Sequence, residues 1–202
     1  LKNRNLKISI GAIILAGGKS SRMGRDKGLM KVGGVAMVQC AIQSVANYAD
    51  NIVVMSSNPE YRITGMKLLP DQIQDKGPLS GLVSGMQYLQ KDAYVVLTCD
   101  TPLLNEAFVE FLINRYLESS AEAVVPEVNG KMYPLTAIYS ASTLSFFSDC
   151  LLRDELSVRR CLEKMNIEKI VIDRDEQIFP ESIFRNVNTI EDYNKMIKDY
   201  AG

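Results

Sequence analysis

The chain has 202 residues, a net charge of −1, no histidine and four cysteines. This excludes histidine-based nucleophilic or acid–base catalysis, histidine-ligated metal, and any bulk electrostatic pull toward nucleic acid or membrane. A hydrophobic fraction of 47% against 23% charged residues is the balance of a globular chain with a substantial core.

From the N-terminus, Leu1–Lys7 is polar and basic and does not read as a secretory leader. Residues 1–9 are expected to form a loosely ordered extension to a single domain spanning 1–202. Ile10–Leu15 is apolar at nearly every position, which predicts a central strand covered on both faces. A long loop follows to about Lys31. The apolar spacing Val35, Val38, Ile42, Val45, Tyr48 predicts a helix. Asn51–Ser56 and Met66–Pro70 predict two more strands, the second closing on Asp71. Gly77-Pro78-Leu79-Ser80-Gly81 opens a helix running to about Gln90, and Tyr94–Cys99 reads as a strand ending at Asp100-Thr101-Pro102. Asn105 can cap a helix with an apolar face of Phe108, Phe111, Leu112 and the stem of Arg115.

Ala121–Pro126 predicts a strand, Val128-Asn129-Gly130-Lys131 a hairpin turn, and Pro134–Tyr139 the returning strand. Helices over about Ser142–Leu152 and Ser157–Met165 and a strand over Glu168–Asp173 follow. Thr189 and Asp192 have capping-box spacing before a last helix with Ile190, Tyr193, Ile197 and Tyr200 on one face. Strands and helices alternate over the first 120 residues, which predicts an α/β fold with one doubly wound, mostly parallel sheet flanked by helices. No segment reaches the ~18 apolar residues of a membrane span. Cys40, Cys99, Cys150 and Cys161 form no C-x-x-C pair and read as reduced, mostly buried thiols of a cytoplasmic protein, with Cys99 in the core.

Four places carry chemistry. The first is the loop after the opening strand, with Gly17, Gly18, Arg22 and Lys27. Gly18-Lys19-Ser20 looks like the end of a P-loop, but the first glycine of that motif would fall at Ile13, and the dinucleotide pattern G-x-G-x-x-G fails on spacing. What remains is a glycine-rich basic loop that can aim N–H groups and cations at a polyphosphate, or a solvated turn. The second is Asp100, at a strand end that faces the ligand crevice of a doubly wound sheet; it can hold Mg²⁺ or cap the following turn. The third is Asp71 with Gly77–Gly81, where a helix start offers free N–H groups. The fourth is Asn186-Val187-Asn188-Thr189, whose alternating asparagines can face a ligand or serve turn and cap.

Together these segments resemble a known family. Leu15-Ala16-Gly17-Gly18-Lys19-Ser20-Ser21-Arg22-Met23-Gly24-Arg25-Asp26-Lys27 is similar to the signature of the molybdenum cofactor guanylyltransferases, which have the nucleotide-diphospho-sugar transferase fold. Gly77–Leu82, Cys99–Leu104, Tyr133–Tyr139 and Asn186–Asp192 resemble the later motifs in the same order. Two places depart from the family pattern: Gly33-Gly34-Val35, where a Gly-Lys-Pro-like turn is frequent, and the region of Ser57 and Asn58, where the family often has an asparagine after the second strand.

The resemblance implies transfer of GMP from GTP to the phosphate of molybdopterin or its molybdenum form, with Mg²⁺ as cofactor and pyrophosphate as leaving group. It implies backbone contacts to the nucleotide from Leu15, Ala16, Gly17 and Gly18, and phosphate contacts from Lys27 and Arg22. Asp100 would bind Mg²⁺, Asp71 would contact the nucleotide, and Gly77, Pro78 and Gly81 would lie beside guanine. Asn186 and Asn188 would face the pterin. Other cofactor-biosynthesis proteins and acceptor molybdoenzymes are the implied partners. A CTP-dependent molybdopterin cytidylyltransferase, a sugar-phosphate nucleotidyltransferase and a non-catalytic nucleotide-binding adaptor stand as alternatives.

Overall fold

The structure is a computed structural model that describes residues 8–17, 26–70, 76–172 and 179–200, with the side chain of residue 200 left aside. The expected N-terminal extension therefore lies outside the described residues, apart from Ile8 and Ser9.

β1 (Ile10–Leu15) is buried along its whole length. Its side chains alternate, as the pleat requires: Ile10, Ala12 and Ile14 enter one core, and Ile13 and Leu15 the other. β2 (Lys31–Val32) and β3 (Val35–Ala36) form a small antiparallel pair. Gly33 and Gly34 join them at φ of 59° and 84°, a left-handed path that glycine adopts at no steric cost. This hairpin uses Val35, so the helix predicted from Val35 begins two residues later, as α1 (Met37–Val45). β4 (Asn51–Met55) and β5 (Lys67–Leu69) continue the parallel sheet outward from β1. Between them, Pro59–Thr64 forms a 3₁₀ segment that hydrophobic periodicity did not signal.

α2 (Gly77–Leu89) crosses back over the sheet to β6 (Ala93–Thr98), which pairs parallel with the opposite edge of β1. α1 packs Val38, Ile42 and Val45 on one face of the sheet, and α2 packs Leu79, Leu82 and Met86 on the other. Each such buried side chain contributes about 1.5–3 kcal/mol. α2 reaches β1 closely because of Gly85: a Cβ there would lie 2.9 Å from the Ile13 side chain.

α3 (Glu106–Glu118) starts where Asn105 predicts, with its side-chain oxygen accepting from Phe108 N at 3.0 Å. Its buried face is Phe108, Val109, Leu112 and Ile113. Phe111 is only partly buried, and Arg115 turns outward to Glu168 at 2.5 Å. β7 (Ala123–Val128) and β8 (Lys131–Met132) close the predicted hairpin through Asn129 and Gly130, at φ of 50° and 73°. The return is only two residues long. The expected longer strand is displaced into β9 (Ala137–Ser140), which lies between β6 and β7 and is antiparallel to both.

α4 (Thr143–Leu152) and α5 (Val158–Leu162) cover the second face, and β10 (Ile167–Ile172) pairs parallel with β7. Among the described residues the sheet has the order β10-β7-β9-β6-β1-β4-β5, mostly parallel and flanked by helices as expected.

α6 (Ile190–Tyr200) opens with the predicted capping box: Asp192 N donates to Thr189 Oγ1 at 3.1 Å, and Thr189 N donates to Asp192 Oδ2 at 2.9 Å. Its inward residue is Met196, with Tyr193 and Ile197 half-buried; Ile190 is exposed, which corrects the expected face. Met196 packs with Val32, Met37 and Val187 in a small separate core. That core fixes the segment before α6 against the β2–β3 hairpin, a long-range arrangement that helical spacing alone does not encode. All four cysteines are free thiols; Cys99, Cys150 and Cys161 are buried. No described helix is long and apolar enough to cross a membrane.

Candidate active site

The strand order reverses at β1. The chain builds β4 and β5 on one side of it, then returns to place β6 on the other. A crevice opens beyond the carboxyl ends of strands at such a reversal, because the two connections leave in opposite directions. Leu15 and Thr98 are register partners at those ends. Asp100 follows Thr98 by two residues, and Lys27 returns to it from the loop after β1.

Lys27 Nζ lies 2.8 Å from Asp100 Oδ2 and 3.4 Å from Asn188 Oδ1. The other Asp100 oxygen accepts from Thr98 Oγ1 at 2.5 Å. Both side chains of the ion pair are partly open to solvent, at 22% and 17% exposure, so a ligand can reach them. Asp100 thus engages Thr98 and Lys27 through its carboxylate. Its backbone carbonyl accepts from Val187 N at 2.8 Å, which ties the asparagine segment to this strand end. The capping work near residue 189 is done by Thr189 and Asp192, leaving Asn188 directed at Lys27. Asn186 Oδ1 is buried with no hydrogen-bond partner among the described residues. Lys27, Asp100 and Asn188, widely separated in the chain, are therefore brought together, with Asn186 two residues from Asn188.

Below Lys27 lies a second polar cluster that sequence reasoning missed. Asp26 caps the 3₁₀ turn Lys27–Leu29, accepting from Gly28 N at 3.2 Å. The same oxygen accepts from the Tyr61 hydroxyl, and the other accepts from Asn58 Nδ2 at 3.0 Å. Tyr61 is wholly buried. Burial, then the proximity of Cys99 and the bond to Asp26, push its phenol well above the usual range, so it remains a donor. A Cβ on Gly28 would overlap the Tyr61 hydroxyl and lie 3.1 Å from Cys99 Sγ. Part of this was readable: Asn58-Pro59 is a helix-start pair, and Asn58 Oδ1 does cap Glu60 N at 3.0 Å. The pairing of Asp26 with Tyr61, 35 residues away, left no local signal. Cys99 is core, as expected; burial, then the Asp100 charge, push its thiol up to about 12.

The remaining expected residues distribute as follows. Leu15 and Ala16 are buried at the end of β1 and Gly17 is exposed just beyond it. Gly77 and Pro78 are exposed at the start of α2, where no side chain caps the helix, and Gly81 is buried within it. Gly18, Arg22 and Asp71 lie outside the described residues. A groove of 570 Å³ runs past the ends of β4 and β5, lined by residues including Ser56, Ser57, Arg62 and Lys67; none of its lining residues belongs to the Lys27–Asp100 cluster.

No group of three or more His, Cys, Asp or Glu side chains among the described residues could hold a metal ion. The donors at hand are hard oxygens: the Asp100 carboxylate and the amide oxygen of Asn188, both within reach of Lys27. That set suits Mg²⁺, which takes one or two carboxylates and completes its shell with water and substrate phosphate.

Comparison with known proteins identifies the family. The model of the MobA-like NTP transferase domain family matches residues 12–169. A probable molybdenum cofactor guanylyltransferase of Clostridium perfringens is 32% identical over 196 residues, covering 93% of this chain and 96% of the relative. A molybdenum cofactor guanylyltransferase of Syntrophotalea carbinolica is 32% identical over 193 residues, covering 95% and 92%. In fold, the chain is similar to the crystal structure of molybdopterin-guanine dinucleotide biosynthesis protein A from Archaeoglobus fulgidus, with a TM-score of 0.79, 17% identity and coverage of 95% and 98%. With a family model over most of the chain and relatives matched along almost their full length, the chain belongs to the MobA-like NTP transferases, in the molybdenum cofactor guanylyltransferase family.

Proposed function

We propose that the protein transfers GMP from GTP to the terminal phosphate of molybdopterin or its molybdenum-bearing form, releasing pyrophosphate. The observation that carries this reading is the meeting of Lys27 and Asp100 at the paired ends of β1 and β6, on the scaffold of a guanylyltransferase family. A phosphate oxygen of the acceptor forms a bond to the α-phosphorus of GTP. The bond from that phosphorus to the α,β-bridging oxygen breaks, and its electron pair leaves with pyrophosphate. The acceptor is already an anion, so no strong base is needed, which fits a chain without histidine.

The barrier is electrostatic, one anion approaching another, and catalysis reduces to positioning and charge neutralisation. Lys27 supplies a cation to the phosphates and to the departing pyrophosphate, exchanging its bond to Asp100 for bonds to phosphate oxygens. Asp100 would hold Mg²⁺, whose chemistry when bound is to neutralise phosphate charge, and Asn186 and Asn188 would face the pterin. The Leu15 carbonyl accepts from Cys99 N at 3.3 Å and Ala16 N donates to Met55 O at 3.1 Å. Backbone contact with the nucleotide therefore falls first to Gly17 and the Ala16 carbonyl. Arg22 and Gly18 act on the phosphates from the loop, and Asp71 on the nucleoside. Gly77, whose N–H is uncapped at the start of α2, borders the base together with Pro78 and Gly81.

The test is incubation with Mg²⁺, molybdopterin and each of GTP, CTP, ATP and UTP, following pyrophosphate and the mass of the dinucleotide. The guanine dinucleotide as main product supports the reading. The cytosine dinucleotide as main product would make the protein a cytidylyltransferase, and no product with any nucleotide would leave the adaptor reading.

A further inference from the structure

Lysine has a flexible four-carbon stem, so a lysine that must meet a developing charge depends on what holds its backbone and what competes for its ammonium. Lys27 has an acidic neighbour in the chain, Asp26, whose carboxylate is a natural competitor. The fold removes that competition. Three donors converge on Asp26: Gly28 N at 3.2 Å, Asn58 Nδ2 at 3.0 Å, and the hydroxyl of the buried Tyr61. Tyr61 belongs to the 3₁₀ segment Pro59–Thr64 and Asn58 is its N-cap; the two are tied together by Tyr61 N donating to Asn58 O at 3.3 Å and by the Asn58 cap on Glu60. The Lys27–Leu29 turn is thus stapled to the far side of β4, with glycine at 28 as the only residue small enough to lie under the Tyr61 hydroxyl. With Asp26 held there, Lys27 extends to Asp100 and Asn188.

We infer that Tyr61, assisted by Asn58, is a positioning residue for Lys27: it locks the Asp26 carboxylate into the turn so that Lys27 is aimed at the reacting phosphates. The inference rests on the reading of Lys27 as the phosphate-neutralising group. Tyr61 touches no substrate in this scheme; its effect passes through the turn. Tyr61→Phe keeps the buried ring and removes only the hydroxyl, leaving Asp26 short of a donor and free to rotate toward Lys27.

The test is a double-mutant cycle with Lys27→Met, measuring kcat and KM for GTP by pyrophosphate release in the presence of Mg²⁺ and molybdopterin. Tyr61→Phe is expected to lower kcat about tenfold with KM for GTP changed less than about twofold, as a misplaced catalytic group does. In the Lys27→Met background the same change is expected to cost less than about twofold, because residues that act as a unit are not additive. An equal loss in both backgrounds, or no loss in the first, overturns the inference. If Lys27→Met itself retains wild-type turnover, the reading of Lys27 fails and this inference fails with it. If Lys27→Met is crippled while Tyr61→Phe is additive, only this inference fails. Should Tyr61→Phe not fold, Asn58→Asp serves in the same cycle: it keeps the oxygen that caps Glu60 N and replaces the donor to Asp26 with a repelling carboxylate oxygen.

Discussion

Asp26 adjoins Lys27 in the chain, whereas Asp100 meets Lys27 across 73 positions, and the fold treats the two carboxylates in opposite ways. Asp26 is closed. Its donors are a backbone amide, a side-chain amide and a buried phenol, none of which a ligand can draw away. Asp100 is open. One of its oxygens is held by the hydroxyl of Thr98, the other by a lysine ammonium that phosphate can attract. The difference separates a carboxylate that builds the site from one that serves it: both are ionic groups at the mouth of the sheet, and what distinguishes them is whether their partners can be exchanged.

Substituting the open side should cost the most activity. Lys27→Met and Asp100→Asn are each expected to lower kcat/KM by ~10²-fold or more, the range of one lost transition-state contact. Pyrophosphate release measures this, and near-normal release by both variants would sink the mechanism. Asp100→Asn should in addition raise the Mg²⁺ concentration needed for half-maximal rate.

Perturbing the closed side should cost activity and stability together. Gly28→Ala drives a methyl group into the Tyr61 hydroxyl, with an expected overpacking cost of about 1–3 kcal/mol in urea unfolding and about tenfold in kcat. If kcat per folded molecule were unchanged, the closed carboxylate would be structural only.

A change away from both carboxylates should affect stability alone. Gly85→Ala sets a methyl 2.9 Å from the Ile13 side chain in the α2–β1 contact and is expected to cost about 1–3 kcal/mol. Turnover per folded molecule should stay near wild type below the unfolding transition.

At Cys99 the effect is again on stability alone, and it depends on pH. Burial raises its thiol from 9.0 to about 12 in the folded protein. Between those values the unfolded chain has lost the proton and the folded chain has kept it. Stability is therefore fully present below about pH 9 and falls as pH rises, by ~1.4 kcal/mol per unit for one such group. Cys99→Ser removes this titration and buries a hydroxyl in its place. It should lower stability at pH 7 by about 1–3 kcal/mol, spare turnover, and show a shallower alkaline decline. Loss of turnover in well-folded Cys99→Ser would show that the residue is more than core.

The parallel framework was legible because each strand and helix repeats a local pattern. β1 was read residue for residue, and the caps at Asn105 and Thr189 formed as their spacing predicts. Lys27, Asp100 and Asn188 were legible as candidates because strand ends and glycine-rich loops concentrate ligand contacts. The closed cluster was not legible. Tyr61 lies in a short 3₁₀ segment with no apolar period of its own, and its partner is 35 residues away. The buried face of α6 was misread for a related reason: its covering partners, Val32, Met37 and Val187, come from the β2–β3 region and from the segment before the helix. The displacement of β9 into the sheet was equally non-local, since a turn at Asn129-Gly130 specifies a reversal and not the strand against which the returning chain settles.

By itself the sequence determined the alternation of elements, the two-sided burial of β1, the helix caps, the exclusion of histidine chemistry, and which charged residues stand at strand ends. These follow from backbone periodicity and from side-chain chemistry within a few positions. Tertiary structure alone decided that β1 and β6 lie side by side, that Lys27 therefore meets Asp100, and that the Tyr61 hydroxyl reaches Asp26. Those outcomes depend on which surfaces pack and which donors reach a given carboxylate across the sheet, and no local stretch of chain carries that information.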